Sequence, residues 1–169
     1  MIIRTEGLQD YEAVYALHDA AFGNRDEESQ LVERIRKSDC FVPELSIVAE
    51  QDGEIVGHLL ISRADLVEQE LRQEVMVLAP LAVNPAFQKQ GIGSALMQEG
   101  LSRCRAMGYG LVLLIGHPAY YPRFGFKPAV GLSLKQFDVP AEIFMVNELI
   151  EGALSRAKGE LIYPPAFFG

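Results

Sequence analysis

The chain has 169 residues, 49% of them hydrophobic, enough to bury one core and too few for a second independent one. A formal charge of −8 and a pI near 4.9 argue against the basic surface that nucleic-acid binding needs. The longest apolar run, Leu111 to Ile115, falls far short of the roughly 20 residues that span a bilayer. The expectation is one domain over residues 1–169, cytoplasmic, with no nucleic-acid or membrane partner: no linker divides it and the N-terminus lacks the look of an export signal.

Ile2-Ile3-Arg4 predicts a short first strand. Asp10 offers an N-cap for a helix through Phe22, with Val14, Leu17, His18, Ala21 and Phe22 on one stripe and Gly23 past its end. A second amphipathic helix, about Asp26 to Lys37, is expected to turn Leu31, Val32 and Ile35 inward and Glu27, Glu28, Glu33, Arg34, Arg36 and Lys37 outward. Leu45 to Glu50 alternates as a half-buried strand, Asp52-Gly53 is a hairpin signal, and Glu54 to Arg63 returns as the partner strand. Val75 to Val83 predicts a third long strand interrupted by Pro80, which implies an edge, a bulge or a parting of the sheet. Gly91 to Met107 is helical, with Ser94, Gln98, Ser102 and Arg105 on a polar line, and Gly108 ends it. Leu111 to Ile115 is a buried strand, Tyr120 to Phe124 a short turn or helix, and Phe126 begins another extended segment. Beyond Pro140, Phe144 to Glu148 and Leu161 to Tyr163 read as strands around a short helix near Leu149 to Ser155. Cys40 and Cys104 lack neighbours at metal-ligand spacing and are expected to be free packing thiols; no metal site is expected.

The chemistry is expected where the strand ending at Val83 crosses Asn84-Pro85-Ala86-Phe87 into Gln88-Lys89-Gln90-Gly91-Ile92-Gly93-Ser94 at a helix start. Unpaired N–H groups and the helix dipole stabilise phosphates there, glycines admit the ligand to the backbone, and Lys89 and Ser94 add a charge and a hydroxyl. A Walker-type loop needs Gly-Lys-Ser/Thr, whereas Gly93 is followed by Ser94-Ala95. A dinucleotide fingerprint needs glycine at Leu96 and an acid near Gly110-Leu111-Val112, and has neither.

Gln88-x-x-Gly91-x-Gly93 after Leu81-Ala82-Val83 resembles the acetyl-CoA loop of the GNAT superfamily of N-acyltransferases. Tyr121-Pro122-Arg123-Phe124-Gly125-Phe126 is similar to the Tyr-x-x-x-Gly-Phe signature after that family's next strand. The resemblance covers about Ile2 to Phe126; residues 128–169, with Gly152-Ala153-Leu154 and Gly159-Glu160, resemble the ending of a bacterial subgroup of predicted acetyltransferases. It implies a mixed α+β fold: a central, mostly antiparallel sheet parted near Pro80 and flanked by helices, with a core of about 1–127 and C-terminal strands and a helix in 128–169.

The resemblance also implies roles. Leu81, Ala82 and Val83 offer backbone groups to the pantetheine arm, and Gln88, Lys89, Gln90, Gly91, Ile92, Gly93 and Ser94 hold the pyrophosphate of acetyl-CoA. Tyr121 is the general acid that protonates the departing CoA thiolate, although Tyr120 stands beside it as an alternative, and Gly116-His117-Pro118-Ala119 occupies the place of an asparagine common in the family. Val77 stands where some relatives carry a glutamate base; Glu74 and His117 are the remaining candidates beside deprotonation through water. The backbone N–H of Val83 or a neighbour polarises the thioester carbonyl. The expected acceptor is a small-molecule or peptide primary amine, chosen by the N-terminal helices and the loops around Asn24 to Ser29 and Arg63 to Arg72. Acidic Asp26, Glu27, Glu28, Asp65, Glu68 and Glu70 suit a cation there or form only a solvated face. A non-catalytic acyl-CoA sensor is the alternative function, and an interaction domain binding no cofactor a third. A homodimer is an open expectation that no sequence feature supports.

Overall fold

A nine-stranded sheet organises the chain, which a computed structural model describes over residues 1–169. Strands β1 (Ile2–Thr5), β2 (Ser46–Gln51), β3 (Glu54–Glu68) and β4 (Leu71–Val83) pair antiparallel in sequence, and β4 runs parallel to β5 (Leu111–Ile115). The C-terminal part adds β6 (Lys127–Pro128), β7 (Leu132–Ser133), β8 (Phe144–Glu148) and β9 (Gly159–Ile162). Strand β8 lies between β5 and β6, and β9 pairs with both β3 and β7. Asp52 and Gly53 both take left-handed φ values, +52° and +80°, as a two-residue hairpin turn between β2 and β3 demands.

Alternation along the strands assigns the two faces. Helix α3 (Ile92–Ala106) lays Leu96, Met97, Leu101 and Cys104 on one face, against Leu59, Ile61, Met76 and Leu78. On the opposite face, α1 (Tyr11–Ala21) and α2 (Glu27–Arg36) bury Val14, Val32 and Ile35 against Val48 and Leu60. Further along that face, Ala64, Leu66, Val75 and Val77 pack on Ala153, Leu161 and Tyr163. Both cysteines are free and buried, and no helix is long and apolar enough to cross a membrane.

The parting anticipated at Pro80 has a defined register. Leu59 faces Leu81 but Ile61 faces Leu78, so Ala79 and Pro80 together oppose Leu60. A proline cannot donate to the ladder, and the extra residue bends the strand. Pairing of β4 with β5 is confined to Met76 and Val77, so the β5-facing edge of β4 has no strand partner from Leu78 to Val83.

Several local expectations are corrected. Asp10 precedes α1 without a side-chain cap bond; its carboxylate instead accepts from Arg4 at 2.7 and 2.9 Å and from the Gly7 N–H at 2.7 Å. A guanidinium fork outcompetes a single helix N–H for a carboxylate. Arg36 is not turned to solvent: its side chain is 7% exposed and pairs with Glu6, 1% exposed, while lying 3.8 Å from the Tyr11 ring centre. Arg34 also reaches inward, donating to the Ala166 carbonyl. Residues 63–72 form no open loop, because β3 continues to Glu68 and β4 begins at Leu71; Leu66 is buried and β9 pairs alongside. Residues 149–155 form turns and no α-helix, with only a short 3-10 turn from Leu154.

A buried polar chain ties α1 to the sheet. Arg36 holds Glu6, Ser46 Oγ donates to Glu6 Oε1 (2.8 Å), His58 Nε2 lies 2.9 Å from Ser46 Oγ, and His18 Nε2 lies 2.8 Å from His58 Nδ1. A carboxylate only accepts, which fixes the direction: Ser46 spends its proton on Glu6, so His58 donates from Nε2 and accepts at Nδ1 from His18 Nε2–H. His18 Nδ1 is left buried and without a partner. Burial first, and then the Arg36 charge, push His18 down to about 4; His58 is lowered in the same direction by burial, His18 and Arg36.

Candidate functional site

The loop from β4 to α3 is shaped locally by its own side chains. Asn84 Oδ1 accepts from the Ala86 N–H at 2.9 Å, and the Asn84 carbonyl accepts from Phe87 at 2.8 Å, closing the Pro85–Phe87 turn. Lys89 (φ +65°) and Gly91 (φ +83°) are both left-handed, and alternation of this kind turns successive amides toward one side as an anion-binding nest. The first bond of α3 runs from the Ala95 N–H to the Gly91 carbonyl, and no backbone N–H from Gln88 to Ser94 donates to a carbonyl. A Cβ on Gly91 would meet nothing within 4 Å, so the space above the nest is open.

Over the nest lies a cleft of about 570 Å³. Leu81 and Val83 form its strand wall, and Gln88, Lys89, Gly91, Ile92, Gly93 and Ser94 its helix-end wall. Phe87, Tyr120 and Arg123 complete it, and no Asp or Glu lines it. A Cβ added to Gly93 would lie 2.9 Å from Tyr120 Oη, so the glycine and the tyrosine hydroxyl approach closely at the head of α3. The spacing pointed to Tyr120 only as an alternative, and gave no notice of Phe87 or Arg123. The available signal was the turn at Tyr121–Phe124, which sets Arg123 back against Tyr120.

Three of the expected residues do not face this cleft. Gln90 is exposed beside it, and Ala82 is buried on the opposite face of the sheet, directly across from His58. Tyr121 lies deeper. A Cβ on Gly116 would collide with its ring, whose edges meet Tyr120 and Phe126 at centroid distances of 5.0 and 5.9 Å. The ring therefore packs against the end of β5, alongside the core beneath α3. Burial, with a smaller contribution from Tyr120, pushes its hydroxyl up to about 12, so it stays protonated at neutral pH.

None of the expected bases lines the cleft. Val77 is fully buried in the core, and Glu74 is exposed, its carboxylate 4.0 Å from Arg63 Nε. His117 is exposed in the loop after β5, where its Nδ1 accepts from the Ala119 N–H.

The arrangement has known counterparts. Residues 3–129 match the family model described as an acetyltransferase (GNAT) domain. The uncharacterized N-acetyltransferase YhbS of Escherichia coli strain K12 is 32% identical over 168 residues, 99% of this chain and 98% of that protein. The crystal structure of Escherichia coli YhbS in complex with CoA superposes with a TM-score of 0.90, covering 99% of this chain and 93% of that one at 31% identity. A GNAT family acetyltransferase from Brucella melitensis in complex with acetyl-CoA gives 0.80 at 29% identity, covering 98% and 97%.

Proposed function

The chain belongs to the GNAT acetyltransferase family, and from that premise we propose that it transfers an acetyl group from acetyl-CoA to a primary amine by direct attack in a ternary complex. The observation that carries the reading is the unbroken run of unpaired amides from Gln88 to Ser94, set beside a strand edge that has lost its neighbour. The amides and the dipole of α3 hold the pyrophosphate, with Lys89 adding charge. The free edge of β4 at Leu81, Ala82 and Val83 receives the pantetheine amides as an extra, imperfect strand.

Acetyl-CoA supplies the activated thioester; the protein orients it, polarises it and manages one proton. The amine attacks the carbonyl, whose oxygen is stabilised by the N–H of Val83 or a neighbour, and the tetrahedral adduct collapses with loss of the thiolate. Tyr121 gives its hydroxyl proton to that sulfur, a role supported by its protonated state and by its ring lying against the cleft residue Tyr120 at the end of β5. The amine's own proton leaves through water, a route consistent with a cleft lined by no carboxylate or imidazole.

The test is calorimetric titration with acetyl-CoA and CoA of the wild type and a Gly91→Glu variant, followed by an amine panel with Tyr121→Phe. Micromolar binding lost in Gly91→Glu, and turnover lowered on the order of 10²-fold in Tyr121→Phe with cofactor affinity kept, support the reading. Absence of cofactor binding by the wild type ends it. Binding with no turnover on any amine favours the sensor, the reading to which the buried Val77 lends weight.

A further inference from the structure

Resting on the cofactor reading above, we propose that Arg123, seated on the ring of Tyr120, takes the phosphate monoester on the cofactor's ribose and makes the site select CoA over its 3′-dephospho form. Charge is the first ground. In a chain of net charge −8, the cleft keeps the cations Lys89 and Arg123 and no carboxylate. Arg4, Arg36, Arg72 and Arg103 are each paired with an acid, whereas Arg123 has none.

Preorganisation is the second. Arg123 Nε donates to the Tyr120 carbonyl at 3.0 Å, and the guanidinium carbon lies 4.8 Å from the Tyr120 ring centre. The head is therefore held while both terminal nitrogens stay free, in the fork geometry that matches a phosphate.

Position decides which phosphate. The amides at the head of α3 suit the pyrophosphate, and Lys89 belongs to that nest through its own left-handed backbone. Leu81 and Val83 are half-buried, Gly93 lies beneath the Tyr120 hydroxyl, and Arg123 is exposed at the rim. A ligand with its pantetheine on β4 and its pyrophosphate at α3 directs its nucleotide end outward to that rim. The monoester there carries close to two charges at neutral pH and gains most from a formal cation.

Titration calorimetry of the full chain with CoA and with 3′-dephospho-CoA, for the wild type, Arg123→Gln, Arg123→Lys and Lys89→Gln, tests the assignment. The wild type should prefer CoA by about tenfold, the effect of one charge-assisted contact at a solvated rim. Arg123→Gln should remove that preference by weakening CoA alone, Arg123→Lys should restore part of it, and Lys89→Gln should weaken both ligands by a similar factor. Because Arg123 is exposed, the melting temperature without ligand should not change. Equal weakening of both ligands by Arg123→Gln, or weakening of neither, overturns the proposal. Failure of the wild type to bind either ligand sinks the cofactor reading itself.

Discussion

Acidification from pH 7 to about pH 4.5 should destabilise this protein before its carboxylates titrate, because two fully buried histidines must stay neutral to remain folded. His18 is held at about 4 against an ordinary value of 6.5. Its folded value is depressed, so the unfolded chain takes up the proton first. The stabilisation is complete above pH 6.5 and drains away as the pH falls from there toward 4. That interval of roughly 2.5 in pH, at 1.36 kcal/mol for each unit, is about 3 kcal/mol, a large part of the 5–15 kcal/mol by which domains are usually stable. His58 is depressed too, although Glu6 Oε2 lies 3.9 Å away, because full burial and its neighbours outweigh that attraction. Between one and two protons should therefore be taken up on unfolding in this window, a slope of about 1.4–2.7 kcal/mol per pH unit. The third histidine, His117, is exposed, and Asp10, held low by Arg4, matters only in stronger acid. The assay is urea unfolding followed by far-UV circular dichroism across the range, since the chain has no tryptophan. A double variant, His18→Gln with His58→Gln, keeps polar groups at both positions without titrating. Flat stability in the wild type between pH 7 and 5, or an unchanged slope in the double variant, would refute the reasoning.

Other perturbations are as direct. Gly116→Ala drives a methyl into the Tyr121 ring, which should cost about 1–3 kcal/mol in urea unfolding and lower turnover with cofactor affinity retained. Arg36→Met strands the buried Glu6 carboxylate and should cost about 3–5 kcal/mol, most of it recovered when Glu6→Met is added, as measured by equilibrium unfolding. Gly93→Val pushes on Tyr120 Oη and fills the cleft, so calorimetry should record loss of CoA binding at little cost in melting temperature.

Much of this was legible in the sequence because it is local. Asp52-Gly53 announces its turn through the left-handed backbone it requires, Leu111 to Ile115 through an unbroken apolar run, and the nest through glycines that open a helix. Pro80 predicted a disturbance of the strand, yet the two-against-one register opposite Leu60 depends on which strand lies alongside. What stayed hidden was settled by partners distant in sequence. Arg36 looks solvent-facing on its own helix and is claimed by Glu6, 30 residues away. The His18–His58 pair joins α1 to β3 across 40 residues, and neither histidine alone suggested it. Arg123 is hidden differently: it occupies a variable position of a motif defined by its tyrosine and glycine, and only the fold of the turn sets it against Tyr120.

Departure of the amine's proton through water, as proposed, has a kinetic consequence. An amine nucleophile must reach the thioester as its free base, and a carboxylate or imidazole at the parting would impose its own ionisation on the rate. Val77 contributes only a buried methyl pair, Glu74 is held near Arg63, and His117 accepts from its own loop. With water as the proton's route out, log kcat/KM should rise with unit slope up to the pKa of the amine itself. It should then stay level until Tyr121 ionises near pH 12, where the acid proposed for the thiolate is lost. Two amines whose own pKa values differ widely distinguish the cases: the lower limb should move with the amine. A limb fixed at one pH for both amines would mean that an enzyme group takes the proton, and would return His117 to candidacy as the base.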